Sequence, residues 1–238
     1  MNFSATSGSG CGRWQKTIWR AGWLAGLFAV SGVSAGGPAS SPPVSVVLTH
    51  PHPYNVFAYP PKLSLDLRRV GVLPISTGSA ANDQVEGCAA LGPVLVEQLI
   101  KTKRFEVVVI DPKLLCRATG RVNWTGNETL PPDFLVFLRQ EYGCDGVLFA
   151  ELTTYRGYAP LAIGWRFKLA DARSGQIVWA ADELFDAAEP SVYRAAQRFA
   201  GVRFGWPLVH DDNWQAANSP RQFGRFSATT LLNTLPER

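Results

Sequence analysis

The chain has 238 residues, 46% of them hydrophobic and 18% charged, ordinary globular material that is long enough for one core of good size or two small ones. A formal charge of +4 suggests a nucleic-acid or membrane-surface partner, but three of the cations, Arg13, Lys16 and Arg20, lie in a first segment that carries no acid. Without residues 1–35 the charge is +1 and the body holds no Lys/Arg cluster, so nucleic acid is set aside as a partner.

That first segment continues into an uncharged apolar run, Ala21 to Val33, then Ser34-Ala35 and Gly36-Gly37-Pro38. A basic region, a short apolar core and small residues, with Val33 and Ala35 at the −3 and −1 positions, form the pattern of a secretory signal peptide cut after Ala35. The run is shorter than the roughly 20 residues that span a bilayer; retention as an anchor is the competing reading. The expected location is periplasmic, with association at the outer membrane as an extension of it. Export removes Cys11 and leaves Cys88, Cys116 and Cys144, an odd set in which one pair can close a disulfide but which makes no disulfide framework. No CxxC or Cys/His ligand spacing occurs, and no metal or cofactor is expected.

Residues 36–62 hold seven prolines among small and polar residues and read as a linker or wrapping arm. The folded domain is expected over 63–238. Arg69 to Ile75 (RVGVLPI) reads as a short buried strand ended by its proline, and 76–87 as a polar loop. Leu91, Val94, Leu95, Leu99 and Ile100 recur at helical spacing, with Pro93 at the first turn or kinking the helix. Phe105 to Ile110 (FEVVVI) is a β-branched run of buried-strand type, so a βαβ crossover is expected. A short helix over 113–119, a polar loop over 120–129 and a helix over 133–142 follow, the last with Gly143 at its C′ position.

Residues 145–186 read as three consecutive strands. Leu161, Ile163, Trp165, Phe167 and Leu169 alternate with Ala162, Gly164, Arg166, Lys168 and Ala170, and Ala172-Arg173-Ser174-Gly175 supplies a hairpin loop with a glycine for a positive φ. Matching the faces places odd residues inward, so that Trp165, Phe167, Ile177 and Trp179 share one core. A helix from Glu189-Pro190-Ser191 is expected to end at Gly201. In the last helix, Ser219-Pro220-Arg221-Gln222 has the form of a capping box, and Phe223, Phe226 and Leu231 make an apolar stripe that docks on the core. The order β, α, β, α, α, β, β, β, α, α gives an α/β fold, a single domain with a mixed sheet whose first strands are parallel and whose last three are antiparallel.

Catalytic chemistry is sparse. His50 and His52 lie in the Pro-rich arm, and His210 precedes Asp211 and Asp212 on a surface loop. No nucleophile elbow or phosphate-binding glycine loop is present, and Cys144 reads as a packed, inert thiol. Glu151 with Asp182 or Glu183 could supply the two carboxylates of a wall-glycan hydrolase or glycan-binding protein. Cross-strand ion pairs with Arg156, Arg166 and Lys168 explain the same acids more simply.

The features RVGVLPI, KTKRFEVVVID, EYGCDGVLFAELTTY and DARSGQIVWAADELFD, spread over 67–200, resemble a superfamily of bacterial envelope proteins. It includes the lipoprotein activators of penicillin-binding proteins, the curli-secretion lipoprotein and the N-terminal domain of the periplasmic protein of the Tol-Pal system. The resemblance implies an anticodon-binding-domain-like fold and a non-catalytic adaptor or assembly role, with an envelope protein complex as partner. A secretion-channel subunit is a further reading, but it needs a long amphipathic hairpin. Gly36, not Cys, follows Ala35, so no lipid anchor is expected. The aromatics Tyr54, Phe57 and Tyr59 in the arm, with Tyr155, Tyr158 and Pro160 between two strands, are the candidate partner-binding residues.

Overall fold

Two-residue periodicity decides the centre of the molecule. In the computed structural model, which describes residues 53, 55–78, 82–204 and 219–238, three long strands run in sequence: β5 (Gly146–Arg156), β6 (Ala162–Asp171) and β7 (Ile177–Asp186). They pair antiparallel in the order of the chain. On β6 the residues Ile163, Trp165, Phe167 and Leu169 are all fully buried on one face. Phe167 stacks between Trp165 and Trp179, with ring centroids 5.2 and 6.1 Å apart. Each such contact adds about 0.5–1.5 kcal/mol beyond the area it buries.

Ile177 departs from the expected parity. Leu169 pairs with Trp179 but Ala170 pairs with Ile177, so Val178 is the extra residue of a bulge. The slip turns Ile177 to the opposite face, where it packs in the second core, while Val178 packs on the first.

The other half of the sheet is parallel. β2 (Arg69–Val72) lies between β5 and β4 (Glu106–Val109), and α1 (Asn82–Thr102), with Pro93 in its interior, provides the crossover. β4 is an edge strand with Val109 largely exposed, which corrects its reading as a buried strand: hydrophobic β-branched residues favour strands wherever the strand lies. Two short strands were not anticipated. β3 (Ser76–Thr77) runs parallel to β5 at Glu151 and Leu152, and β1 (Val56–Ala58), from the Pro-rich stretch, pairs antiparallel with β7 at the other edge. The seven strands form one mixed sheet in the order β1-β7-β6-β5-β2-β4, with β3 beside β5.

Each sheet face has its own core. On the first face lie α1, α4 (Pro190–Phe204) and α5 (Pro220–Leu232), through Leu91, Leu95, Leu99, Val192, Phe223, Phe226 and Leu231. On the second lie α2 (Pro112–Thr119), α3 (Phe134–Tyr142) and Trp124 of the intervening loop, against Val147, Phe149 and Ala170. Gly71 on β2 is needed for that packing, because a Cβ there would stand 2.8 Å from Cys144 Sγ.

The helix ends follow the expected chemistry in part. Asp111 caps α2 by accepting from Lys113 N at 2.7 Å, and α3 ends at Gly143 with φ of 64°. Two expectations are corrected. α4 continues through Gly201 to Phe204, since a glycine inside a helix costs only about 1 kcal/mol and does not force a stop. Ser219 stands at the N-cap of α5 without a side-chain capping bond, so the capping box does not close. The α5 stripe nevertheless docks as expected, with Phe223, Phe226 and Leu231 buried.

The predicted signal peptide, Tyr54, His50, His52 and His210 lie outside the described residues. No helix of the described residues is long and apolar enough to cross a membrane. Cys88, Cys116 and Cys144 are free thiols.

Candidate binding surface

The strand register arranges the second sheet face as parallel rows of side chains. Val147, Ala170 and Ile177 form one row, and Phe149, Lys168, Ala180 and Phe57 the next. The core under α2 and α3 takes in the first row and Phe149. Beyond it the rows change character. Glu151, Arg166 and Asp182 form the third, then Thr154, Gly164 and Leu184, then Arg156, Ala162 and Asp186. The face is thus half covered by helices and half lined by charge, with Phe57 and Leu184 each about half exposed beside the charged rows, at 52% and 51%.

Arg166 holds the third row together. Its Nε donates to Asp182 Oδ2 at 2.6 Å, and its Nη1 lies 3.4 and 3.3 Å from the two oxygens of Glu151. Asp182, and after it Glu151, hold the guanidinium further above its ordinary pKa. Two rows on, Arg156 pairs with Asp186 at 2.8 Å. The carboxylates considered for glycoside chemistry are therefore bridged by one guanidinium and do not flank a sugar-sized gap. Glu183 stands opposite Trp165 in the register and so belongs to the other face.

Lys168 is the cation without such a partner. Its ammonium donates to Gly126 O at 3.2 Å and to Asn127 Oδ1, both neutral acceptors, and no carboxylate of the described residues pairs with it. Gly126 makes this path available: a Cβ there would stand 2.7 Å from Lys168 Cδ. Together Asn55, Phe57, Asn127, Arg166, Lys168 and Asp182 line a cleft of about 380 Å³ between β1 and the loop before α3.

The residues singled out from the sequence fall into two groups. Phe57 lines this cleft. Tyr59, Tyr158 and Pro160 are exposed, Tyr59 just beyond β1 and the other two at the tip of the β5–β6 hairpin. Tyr155 is different. Its ring lies over Gly87 of α1, where a Cβ would approach to 2.6 Å, and burial pushes its hydroxyl pKa up. Asn55, Asn127, Lys168 and Leu184 were not singled out. Lys168 sat on the polar parity of β6, but its partners are 41 and 42 residues away, beyond the reach of local pattern.

No family model matches the chain, and no curated protein matches it. Solved structures do. The chain is similar to the PelC dodecamer from Paraburkholderia phytofirmans at 15% identity over 77% of this chain and 96% of that one, with a TM-score of 0.45. It is similar to lipoprotein GNA1162 from Neisseria meningitidis at 16% identity over 58% and 96%, with a TM-score of 0.40. The C-terminal domain of LpoB from Salmonella enterica aligns at 14% identity over 50% and 82%, with a TM-score of 0.32. Each of these three is a likeness of fold at low identity, with a TM-score below 0.5.

Proposed function

We propose that this chain is an exported, non-catalytic adaptor or assembly factor of the bacterial cell envelope, acting by protein–protein binding in the periplasm. The observation that carries the reading is the half-covered sheet face. Its acids are neutralised in cross-strand pairs with Arg166 and Arg156, while Phe57 and Leu184 stand half exposed beside them. An apolar residue beside fixed, satisfied charges suits recognition: the apolar side chain gains by burial and the charges set register. Tyr59, Tyr158 and Pro160, all exposed, extend the expected contact. The signal-peptide pattern supports the location.

The test is site-specific photocrosslinking in the native envelope. A photoreactive phenylalanine analogue at Phe57 or Leu184 is expected to give one adduct of discrete mass, and the same group at Val136 on α3 none. Equal, diffuse labelling from all three positions would overturn the assignment of this face. Recovery of the protein in the cytoplasmic fraction, with residues 1–35 still attached, would overturn its export.

A further inference from the structure

The cleft beside Phe57 has an unequal supply of hydrogen-bonding groups. The Lys168 ammonium has three donors and two protein acceptors. Arg166 uses Nε and Nη1 on its carboxylates, and its Nη2 has no acceptor among the described residues. Asn127 turns its oxygen to Lys168, which leaves its amide N–H groups without a protein acceptor. Against these donors the lining offers one carboxylate, Asp182, one of whose oxygens already accepts from Arg166 at 2.6 Å. A cation held only by neutral oxygens beside a donor-rich wall calls for an anionic acceptor. A neutral hydroxyl ligand brings an O–H donor along with its lone pairs, and the lining has little acceptor capacity left to receive it. The half-exposed ring of Phe57 supplies an apolar wall at the mouth.

We propose that this cleft takes the carboxylate of an aspartate or glutamate on the partner protein, with an adjoining apolar residue against Phe57, and that Lys168 and Asn127 are the residues that select it. This rests on the adaptor reading and names the chemistry of the partner. A cleft of about 380 Å³ is large enough for two adjacent side chains and too small for a folded element. Gly126 and Asn127 fix the ammonium in place, so little conformational freedom is lost on binding.

The experiment is an NMR titration of the exported, ¹⁵N-labelled protein with four probes: N-acetyl-Phe-Glu-amide, N-acetyl-Phe-Gln-amide, acetate, and the N-acetylglucosamine disaccharide. The Glu peptide is expected to bind about tenfold or more tightly than the Gln peptide, the scale of one charge-assisted hydrogen bond, and to shift the signals of Phe57, Asn127 and Lys168. Lys168→Met should bring the two peptides to equal affinity, and Asn127→Ala should narrow the gap in the same direction. Val136→Ala, on α3 and outside the cleft, should leave the preference unchanged. Amide spectra of each variant separate loss of binding from loss of fold, and the asparagine variant tests the proposal even if the lysine variant unfolds. Equal affinity of the Glu and Gln peptides for the native protein, or binding of the disaccharide in place of either peptide, overturns the proposal. Acetate binding as tightly as the Glu peptide would also overturn it, since the site would then read a free anion and not a polypeptide. Discrete crosslinks from Leu184 together with equal peptide affinities would leave the adaptor reading standing and remove only this one.

Discussion

Replacing Ser227 by alanine tests how the C-terminal helix is fixed to the sheet. Trp165 and Ser227 are both fully buried, and the indole Nε1 donates to the Ser227 hydroxyl at 2.9 Å while that hydroxyl donates to Gly224 O at 3.1 Å. Ser227→Ala removes the indole's one acceptor among the described residues and admits no water in its place. An orphaned buried donor of this kind costs about 1–3 kcal/mol, and a chain of this size should lose roughly 2–12 °C in Tm. Urea unfolding of the exported protein reads the cost directly, with the midpoint expected to fall at unchanged slope. A second measurement isolates the mechanism. In a Trp165→Phe background the donor no longer exists, so Ser227→Ala should then cost less than about 0.5 kcal/mol. A cost below about 0.5 kcal/mol in the native background, or the same cost in both, would refute the hydrogen bond as the tie between α5 and β6.

Three further outcomes are expected. Arg166→Met leaves Glu151, only 8% exposed, facing Asp182 without its cation, and should destabilise by about 1–3 kcal/mol in urea, the lower part of the range reflecting the partly solvated guanidinium. Adding Glu151→Gln and Asp182→Asn to that variant should recover most of the loss. Glu97 is held down to about 2 from its ordinary 4.5, first by Lys101 and then by Arg225 of α5. Because its folded pKa is depressed, its contribution is complete above pH 4.5 and disappears as the pH falls towards 2. Thermal melts of Glu97→Gln and native protein should therefore differ by about 0.5–1 kcal/mol at pH 7 and converge near pH 2, the small figure reflecting solvent screening of a partly exposed group. Burial pushes the thiols of Cys88 and Cys144 up to about 11, whereas Cys116 is exposed. Ellman's reagent at pH 7.5 should modify one thiol quickly in the folded exported protein, which lacks Cys11, and the other two only in denaturant.

Much of this architecture was legible because β6 is long and alternates regularly, which fixed the inward face of the sheet up to the bulge at Val178. Where a strand was misplaced, the missing information was non-local. Residues 105–110 (FEVVVI) read as a buried strand because five of the six side chains are apolar, but burial depends on strand order, and β4 has a neighbour on only one side. The bulge at Val178 could not be read because valine is equally at home in a regular strand; it carries no glycine to mark the slip. Ser76 and Thr77 looked like loop because they are polar, and Ser76 is nevertheless buried, its hydroxyl donating to Ala150 O at 3.2 Å. The same local logic missed β1: three residues among prolines carry no periodicity, and only the open edge of β7 makes them a strand.

The binding surface was half legible for a related reason. Alternation placed Arg166 and Lys168 on the polar side of β6, and the acids of the neighbouring strands offered partners for both. Register decides between them. Glu151 and Asp182 both stand level with Arg166, whereas the positions level with Lys168 are Phe149 and Ala180. The two cations therefore sit two residues apart on one strand with opposite environments, one bridging two carboxylates and one held by neutral oxygens. That asymmetry separates a structural charge from one available to a partner. It predicts that Arg166→Met will be felt chiefly in stability and Lys168→Met chiefly in recognition. Equal stability losses from the two substitutions would show that Lys168 is as much a part of the folded sheet's electrostatics as Arg166, and the distinction on which the cleft proposal stands would be lost.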